Sequence, residues 1–323
     1  MKDRIYNPVQ DDLERVKNKL CNFCPAGITN FPDSQKMLGQ ILGGGKLLRP
    51  LLVLHSGNFY TYRPERLLPM ATSAEMLHVA TLVHDDAIDK ADTRRGKPTI
   101  NSIWGPDKAV VLGDYLFACA AEFAAETESI RAVKLFAGAL ASISTGELRQ
   151  SFSAFNKTQQ FDQYLKRIIG KTASLFAMAT ETGAVLSDAP EESVKILKEY
   201  GMNLGIAFQI MDDVLDFTGT EEELGKPVAS DLLQGTVTLP SLKIIEYYPQ
   251  DNPVKRLFEG KGEPADNIAE AISLVKETSI LNECIETALG YSRAACRDIN
   301  LLPESPSKDS MFALAESMVK RRS

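Results

Sequence analysis

The sequence predicts an all-α fold, carried as one large helical domain over residues 1–323. Three observations predict it. Apolar residues recur at three- and four-residue spacing along almost the whole chain. Alternating Val/Ile/Thr runs bounded by turn pairs are missing. No Gly-, Ser- or Pro-rich linker divides the chain.

The elements follow in order. Between Arg66 and Ile88, the residues Leu67, Met70, Ala74, Leu77, Thr81 and Ile88 fall near helical spacing, and helices of the same kind are expected over Lys108 to Ala125, Ile130 to Phe155, Phe161 to Leu186 and Val194 to Phe217. No heptad is sustained long enough for a coiled coil. Asp188, standing before Ala189, Pro190 and Glu191, reads as an N-cap with proline in the first turn and a carboxylate at the third position. Pro50, Pro98, Pro106, Pro240 and Pro249 mark further starts or breaks.

Composition excludes several classes. Apolar residues at 44% and charged residues at 24% are ordinary for a globular chain, so a core forms without staples. A net charge of −7 disfavours nucleic acid, which rewards a basic surface. No apolar run approaches the roughly 18 to 20 residues that span a membrane. The opening MKDRIYNPVQ has no apolar stretch behind its charges, so it does not read as a secretory signal. Cys21 and Cys24 form one C-x-x-C with no second pair and no neighbouring histidine; free thiols in a cytoplasmic protein are the better reading.

Chemistry enters at Val83-His-Asp-Asp-Ala-Ile-Asp89. Asp85 and Asp89 lie four apart and share a helix face, with Asp86 beside them. The spelling returns at Met211-Asp-Asp-Val-Leu-Asp216, where Asp212 and Asp216 share a face and Asp213 flanks it. A solvated acidic helix end explains one such cluster. Two copies of D-D-x-x-D, each ending an apolar helix, need a cation. Carboxylates without thiols and with few imidazoles suit hard cations. Magnesium takes one or two carboxylates and fills its other sites with water and phosphate, so the implied ligand is a diphosphate gripped through Mg2+.

Cations agree with an anionic ligand. Gly43-Gly-Gly-Lys46-Leu-Leu-Arg49 places Lys46 and Arg49 in one first helical turn behind a glycine run. Arg94 and Arg95 follow the first cluster, Lys171-Thr172 lies between the clusters, and Lys226 follows the second. GGGK lacks the spacing of a nucleotide P-loop. Six aspartates and these cations describe a pocket for two phosphorylated substrates.

In that order, the sequence resembles the trans-type polyprenyl diphosphate synthases, most like their medium- and long-chain members. The resemblance runs from about Gly43 to Pro240 through GGGKLLRP, AEMLHVATLVHDDAIDKADTRRGKPT, GDYLFA, GELRQ, GKTASLF, FQIMDDVLDFTG, GKPVASDL and GTVTLP. It implies long antiparallel helices bundled around a deep central cavity, and a homodimer. It also implies the reaction: an allylic prenyl diphosphate ionises, the cation alkylates isopentenyl diphosphate, and a proton leaves. By resemblance, Asp85, Asp86, Asp89, Asp212, Asp213 and Asp216 bind three magnesium ions, and Arg94, Lys171 and Lys226 neutralise the leaving diphosphate. Lys46, Arg49, His78 and Arg95 match the positions that hold isopentenyl diphosphate, and Thr172 and Gln209 match polar groups facing the cation. The released diphosphate is the expected proton acceptor. His84 matches no role. Thr236 stands where many relatives carry lysine, which removes one cation.

Chain length is expected to be set beneath the first cluster. Thr81 and Ala80 lie about 6 and 7.5 Å down the helix from Asp85. Short-chain relatives place a bulky aromatic here; this sequence does not. Leu77, Ala74 and Ser73 follow deeper, with Phe117 or Phe123 as closures from another helix. A C30–C40 all-trans product is expected, against the alternatives of a geranylgeranyl or farnesyl synthase and a partner-dependent subunit. A greasy product leaves room for transient membrane contact at release.

Overall fold

The structure is a computed structural model, which describes residues 2–23, 31, 33–94, 96–224 and 227–320. Its elements are helical apart from a two-residue antiparallel pairing, Thr93–Arg94 with Lys97–Pro98. Two compact units make up the chain: residues 1–140, 175–201 and 298–314, and residues 141–174, 202–297 and 315–323. Their boundaries fall inside helices, at positions such as 140/141 in Ile130–Phe152 and 201/202 in Glu191–Thr218.

The first unit is organised on the helix Pro64–Ile88, which starts on a proline and carries a second, Pro69, inside it. Leu67, Met70, Met76 and Leu77 are fully buried, each such side chain contributing about 1.5–3 kcal/mol of burial. Thr72, Ser73 and Glu75 are buried as well, so the helix is enclosed on more than one face along its middle. Ile88, placed by its spacing on the apolar face, is instead 52% exposed at the helix end. The helix Pro106–Ala125 packs antiparallel along it. Ser73 Oγ donates to the Ala120 carbonyl (2.7 Å), and His84 Nε2 donates to the Val110 carbonyl (2.9 Å). Gly113 admits the His84 ring: a Cβ there would lie 2.4 Å from it. His84 is thus a packing residue whose ring also meets Phe117 edge-on at 5.0 Å.

Two expectations shift in this unit. Asp188 does not cap the helix that follows it. It sits at φ 57° just past Ser174–Leu186, and the N–H of Ala189 bonds back to Ala184 (3.1 Å), a left-handed stop that aspartate tolerates. Its carboxylate pairs with Arg63. Lys46 likewise lies outside the helix that holds Arg49, because Leu47 at φ 49° sets the start of Leu48–Gly57 after it.

In the second unit, the stretch expected as one helix from Phe161 to Leu186 starts as Phe161–Ile168 and then widens into a π-turn, Ile169–Ala173, before α-helix resumes at Ser174. Against this turn lies the backbone of Ile130–Phe152. A Cβ on Gly146 would sit 2.5 Å from the Lys171 nitrogen, and one on Gly170 would sit 2.9 Å from the Ser142 carbonyl. Two glycines let main chain touch main chain here. Ile130–Phe152 also stops three residues short of the expected Phe155, which takes φ 59° and bonds to the Gly235 carbonyl. Among the described residues, no helix is long and apolar enough to cross a membrane.

Candidate active site

Both aspartate clusters stand at helix C-termini. Asp85 and Asp86 occupy the last turn of Pro64–Ile88, and Asp89 is its C-cap, its N–H bonded to the Asp85 carbonyl (2.8 Å). Asp212, Asp213 and Asp216 occupy the last two turns of Glu191–Thr218. Neither helix has a basic residue in its last turn. A carboxylate there meets the negative end of the helix dipole, an unfavourable placement of about 0.3–1 kcal/mol per charge. A fold that repeats this twice is arranged for cations from outside the helix.

In the first unit, Asp86 is buried while Asp85 is half-buried and Asp89 exposed. The Arg94 guanidinium donates to Asp86 through Nε (2.8 Å), with Nη2 at the same distance. Burial pushes the Asp86 carboxyl above its usual range, and Arg94 opposes that shift. Arg49 is buried with its guanidinium 4.9 Å from the Phe176 ring centroid. His78 is half-buried one turn from Thr81, whose hydroxyl donates to the His78 carbonyl (2.7 Å), and Lys46 is exposed. Ala80 and Leu77 are fully buried.

The second unit buries more of its cluster. Asp213 and Asp216 are each 2% exposed. Asp213 Oδ2 accepts from the Tyr164 hydroxyl (2.8 Å) and Oδ1 from Gln209 Nε2 (2.9 Å). Asp216 Oδ1 accepts from Ser230 Oγ (3.1 Å) and Oδ2 from the N–H of Asp231 (3.4 Å). Asp212 stays half-buried. Burial, with Asp231 adding to it, lifts the Asp213 carboxyl to about 7, against the pull of its hydrogen bonds. Thr172 Oγ1 donates to Gln209 Oε1 (2.6 Å), and Lys171 Nζ lies 2.6 Å from Glu147 Oε2. The structure therefore brings Lys171, Thr172, Gln209 and Asp213 into one neighbourhood, through the π-turn. Thr236 is half-buried, its N–H bonded to the Asp231 carbonyl (2.8 Å). Arg95 and Lys226 lie outside the described residues, as does Cys24.

Sequence reasoning missed Tyr164, Arg167 and Glu147. Glu147 stood inside a matched stretch, GELRQ, without a role. Tyr164 and Arg167 carry no local signal, since an aromatic and a cation on an amphipathic helix spell core and surface. Arg167 is in fact buried, donating to the Val237 carbonyl (2.7 Å) and to Gln159 Oε1 (3.1 Å).

Among the described residues, no group of three or more His, Cys, Asp or Glu side chains forms a metal cage by itself. The donor set still fits a hard cation: all its members offer oxygen, and Asp85, Asp89 and Asp212 are the least enclosed. Magnesium characteristically takes few protein ligands and completes its shell from substrate phosphate.

Paired D-D-x-x-D helix ends in an all-α fold define a prenyltransferase of the isoprenoid synthase type. The chain belongs to the polyprenyl synthetase family, whose model matches residues 32–275. It is similar to heptaprenyl diphosphate synthase component 2 of Geobacillus stearothermophilus, 38% identical over 98% of each chain. A solved decaprenyl diphosphate synthase of Rhodobacter capsulatus superposes with a TM-score of 0.90 at 32% identity, covering 98% of each chain. A Caulobacter crescentus polyprenyl synthase solved with calcium and isoprenyl diphosphate gives 0.91 at 30% identity, covering 99% of this chain and 98% of that one. The protein is a trans-prenyltransferase that elongates an allylic prenyl diphosphate with isopentenyl diphosphate.

Proposed function

We propose that this chain makes an all-trans polyprenyl diphosphate of C30–C40 as a magnesium-dependent, cytoplasmic homodimer, with the whole chain acting as one catalytic domain. The observation that carries the metal reading is the placement of both clusters at dipole-negative helix ends whose last turns hold no basic residue. Asp85, Asp89 and Asp212 are the ligands this reading favours. The choice follows exposure: Asp86, Asp213 and Asp216 are buried, against Arg94, against Tyr164 and Gln209, and against Ser230 and Asp231, and so shape the site from behind. Bound magnesium, three ions by family resemblance, neutralises the leaving diphosphate.

The remaining roles belong to the chain's own side chains. Lys171, braced by Glu147, and Arg94, braced by Asp86, add positive charge where the diphosphate departs, and Lys226 is assigned with them. Lys46, Arg49, His78 and Arg95 hold isopentenyl diphosphate. Thr172 and Gln209 border the prenyl cation, and the proton leaves to the released diphosphate.

The length reading rests on small or aliphatic residues beneath the first cluster, at Ala80, Leu77, Ala74 and Ser73, all buried. Phe117 is held against His84, near the aspartates. Phe123, beyond the Ser73–Ala120 contact and against Phe23, is the better closure. The heptaprenyl name of the Geobacillus relative agrees with this range. Exposed apolar residues support a dimer: Val111 on Pro106–Ala125, and Leu148 and Phe152 on Ile130–Phe152, at 66, 57 and 89%.

The test is elongation from farnesyl or geranylgeranyl diphosphate with magnesium, read by mass spectrometry of the dephosphorylated products. A ladder reaching C30 or beyond, abolished by chelator, supports the reading. A stop at C15 or C20 rejects the length and keeps the enzyme class. Ala80→Tyr should shorten the product, and an unchanged ladder would sink the floor assignment. A second reading follows from the relatives named component 2: elongation only when a partner protein is added would favour it.

A further inference from the structure

We propose that Tyr164 is a positioning residue, fixing the direction of the hydrogen bonds that run through Asp213 and Gln209 to Thr172, so that Thr172 offers the prenyl cation lone pairs and not a proton. The inference rests on the reading that Thr172 and Gln209 border that cation.

Tyr164 is fully buried on Phe161–Ile168, 49 residues before the aspartate it serves. Its hydroxyl donates to Asp213 Oδ2 and Gln209 Nε2 donates to Oδ1, so both carboxylate oxygens are engaged. Ionised, Asp213 only accepts. The Gln209 amide must therefore turn its NH2 toward Asp213, which leaves Oε1 facing Thr172. A carbonyl oxygen also only accepts, and the Thr172 hydroxyl has one proton to give. That proton is committed to Gln209 at 2.6 Å, and lone pairs remain on Oγ1. An electron-poor allylic carbon beside it meets the negative end of the dipole.

Tyr164 is itself held. The Arg167 guanidinium lies 5.5 Å from its ring centroid and is tied to the Val237 carbonyl and Gln159. Gln209 and Asp213 are four apart on one helix, and Thr172 sits within the π-turn that follows the helix of Tyr164. Without the tyrosine hydroxyl, a nearly inaccessible Asp213 keeps only one of its two side-chain donors, and the amide that orients Thr172 loses its fixed reference.

A double-mutant cycle tests this. Tyr164→Phe and Thr172→Val are made singly and together, with kcat, KM for isopentenyl diphosphate and melting temperature measured for each. Tyr164→Phe is expected to lower kcat about 10-fold or more, the usual loss for a group that orients a ligand, with KM unchanged. In the Thr172→Val background the same change should cost nothing further. Thr172→Ser, which keeps the hydroxyl, should retain the sensitivity to Tyr164→Phe. Losses that multiply in the double variant, or a Tyr164→Phe enzyme with undiminished kcat, would overturn the relay. If Tyr164→Phe fails to fold, Gln209→Met takes its place in the cycle, with the same two outcomes. A wild-type enzyme that does not elongate removes the site reading along with the relay; an active one with multiplying losses removes the relay alone.

Discussion

The two aspartate clusters share one spelling and differ in what surrounds them. At Asp85-Asp86-x-x-Asp89 only the middle carboxylate is buried, and Arg94 braces it. At Asp212-Asp213-x-x-Asp216 the second and third are both buried, each receiving hydrogen bonds on both carboxylate oxygens from residues on the chain's own scaffold. A motif thus names a set of carboxylates without saying which of them face outward. Burial divides the set: Asp89 is exposed and Asp85 and Asp212 are half-buried, whereas Asp86, Asp213 and Asp216 are enclosed among the side chains they bond to.

The largest effect expected is on catalysis. Asp85→Ala or Asp212→Ala should lower kcat by on the order of 10²–10³-fold while leaving the melting temperature near wild type. A comparable loss of stability would erase the distinction between outward and inward members. Next comes pH. Burial pushes the His55 imidazole down to about 4, held between Ser307 and the Ile5 carbonyl. The folded state then refuses a proton that the unfolded chain accepts, so His55 costs stability as pH falls from about 6.5 to 4, by up to about 3 kcal/mol. Asp213 has the opposite sign. Its raised value, about 7, means that the metal-free fold favours the protonated acid, and this contribution is lost as pH rises through about 7. The two slopes oppose each other between pH 4 and 6.5. Urea denaturation of metal-free His55→Gln should therefore show stability falling with rising pH, and Asp213→Asn should flatten that fall. A change of comparable size is expected from Asp213→Ala at neutral pH, where the Tyr164 hydroxyl and the Gln209 amide each lose a partner at about 1–3 kcal/mol. Unaltered stability there would break the contrast between the clusters. Smallest is Arg94→Lys, since the arginine is partly exposed: about 1 kcal/mol or less in stability.

Much of this was legible in the sequence, for physical reasons that also mark where legibility stops. Long helices announce themselves by period, and the helix ends carrying aspartates by the repeated D-D-x-x-D. Capping was harder to read. Asp188 has the residue type of an N-cap but serves as a left-handed stop, because backbone conformation and not residue type decides between them. The same limit hid the start of Leu48–Gly57, where an apolar residue, Leu47, adopts the left-handed turn that separates Lys46 from the helix. In the site, partners remote in sequence were invisible: Glu147 for Lys171, Tyr164 for Asp213 and Ser230 for Asp216 come from other elements. Periodicity reports which face is apolar and says nothing about what a buried hydroxyl touches.

The widened turn at Ile169–Ala173 has a consequence for insertions and deletions. A π-turn is a helix with one residue too many, and removing that residue heals it into continuous α-helix. The repaired helix would be locally more regular, yet every side chain upstream would rotate by about 100° relative to those downstream. Tyr164 and Thr172 would no longer reach the same neighbouring helix at Asp213 and Gln209. A one-residue deletion here is therefore a frame error in three dimensions: the chain still reads as helix, but the message it carries is out of phase.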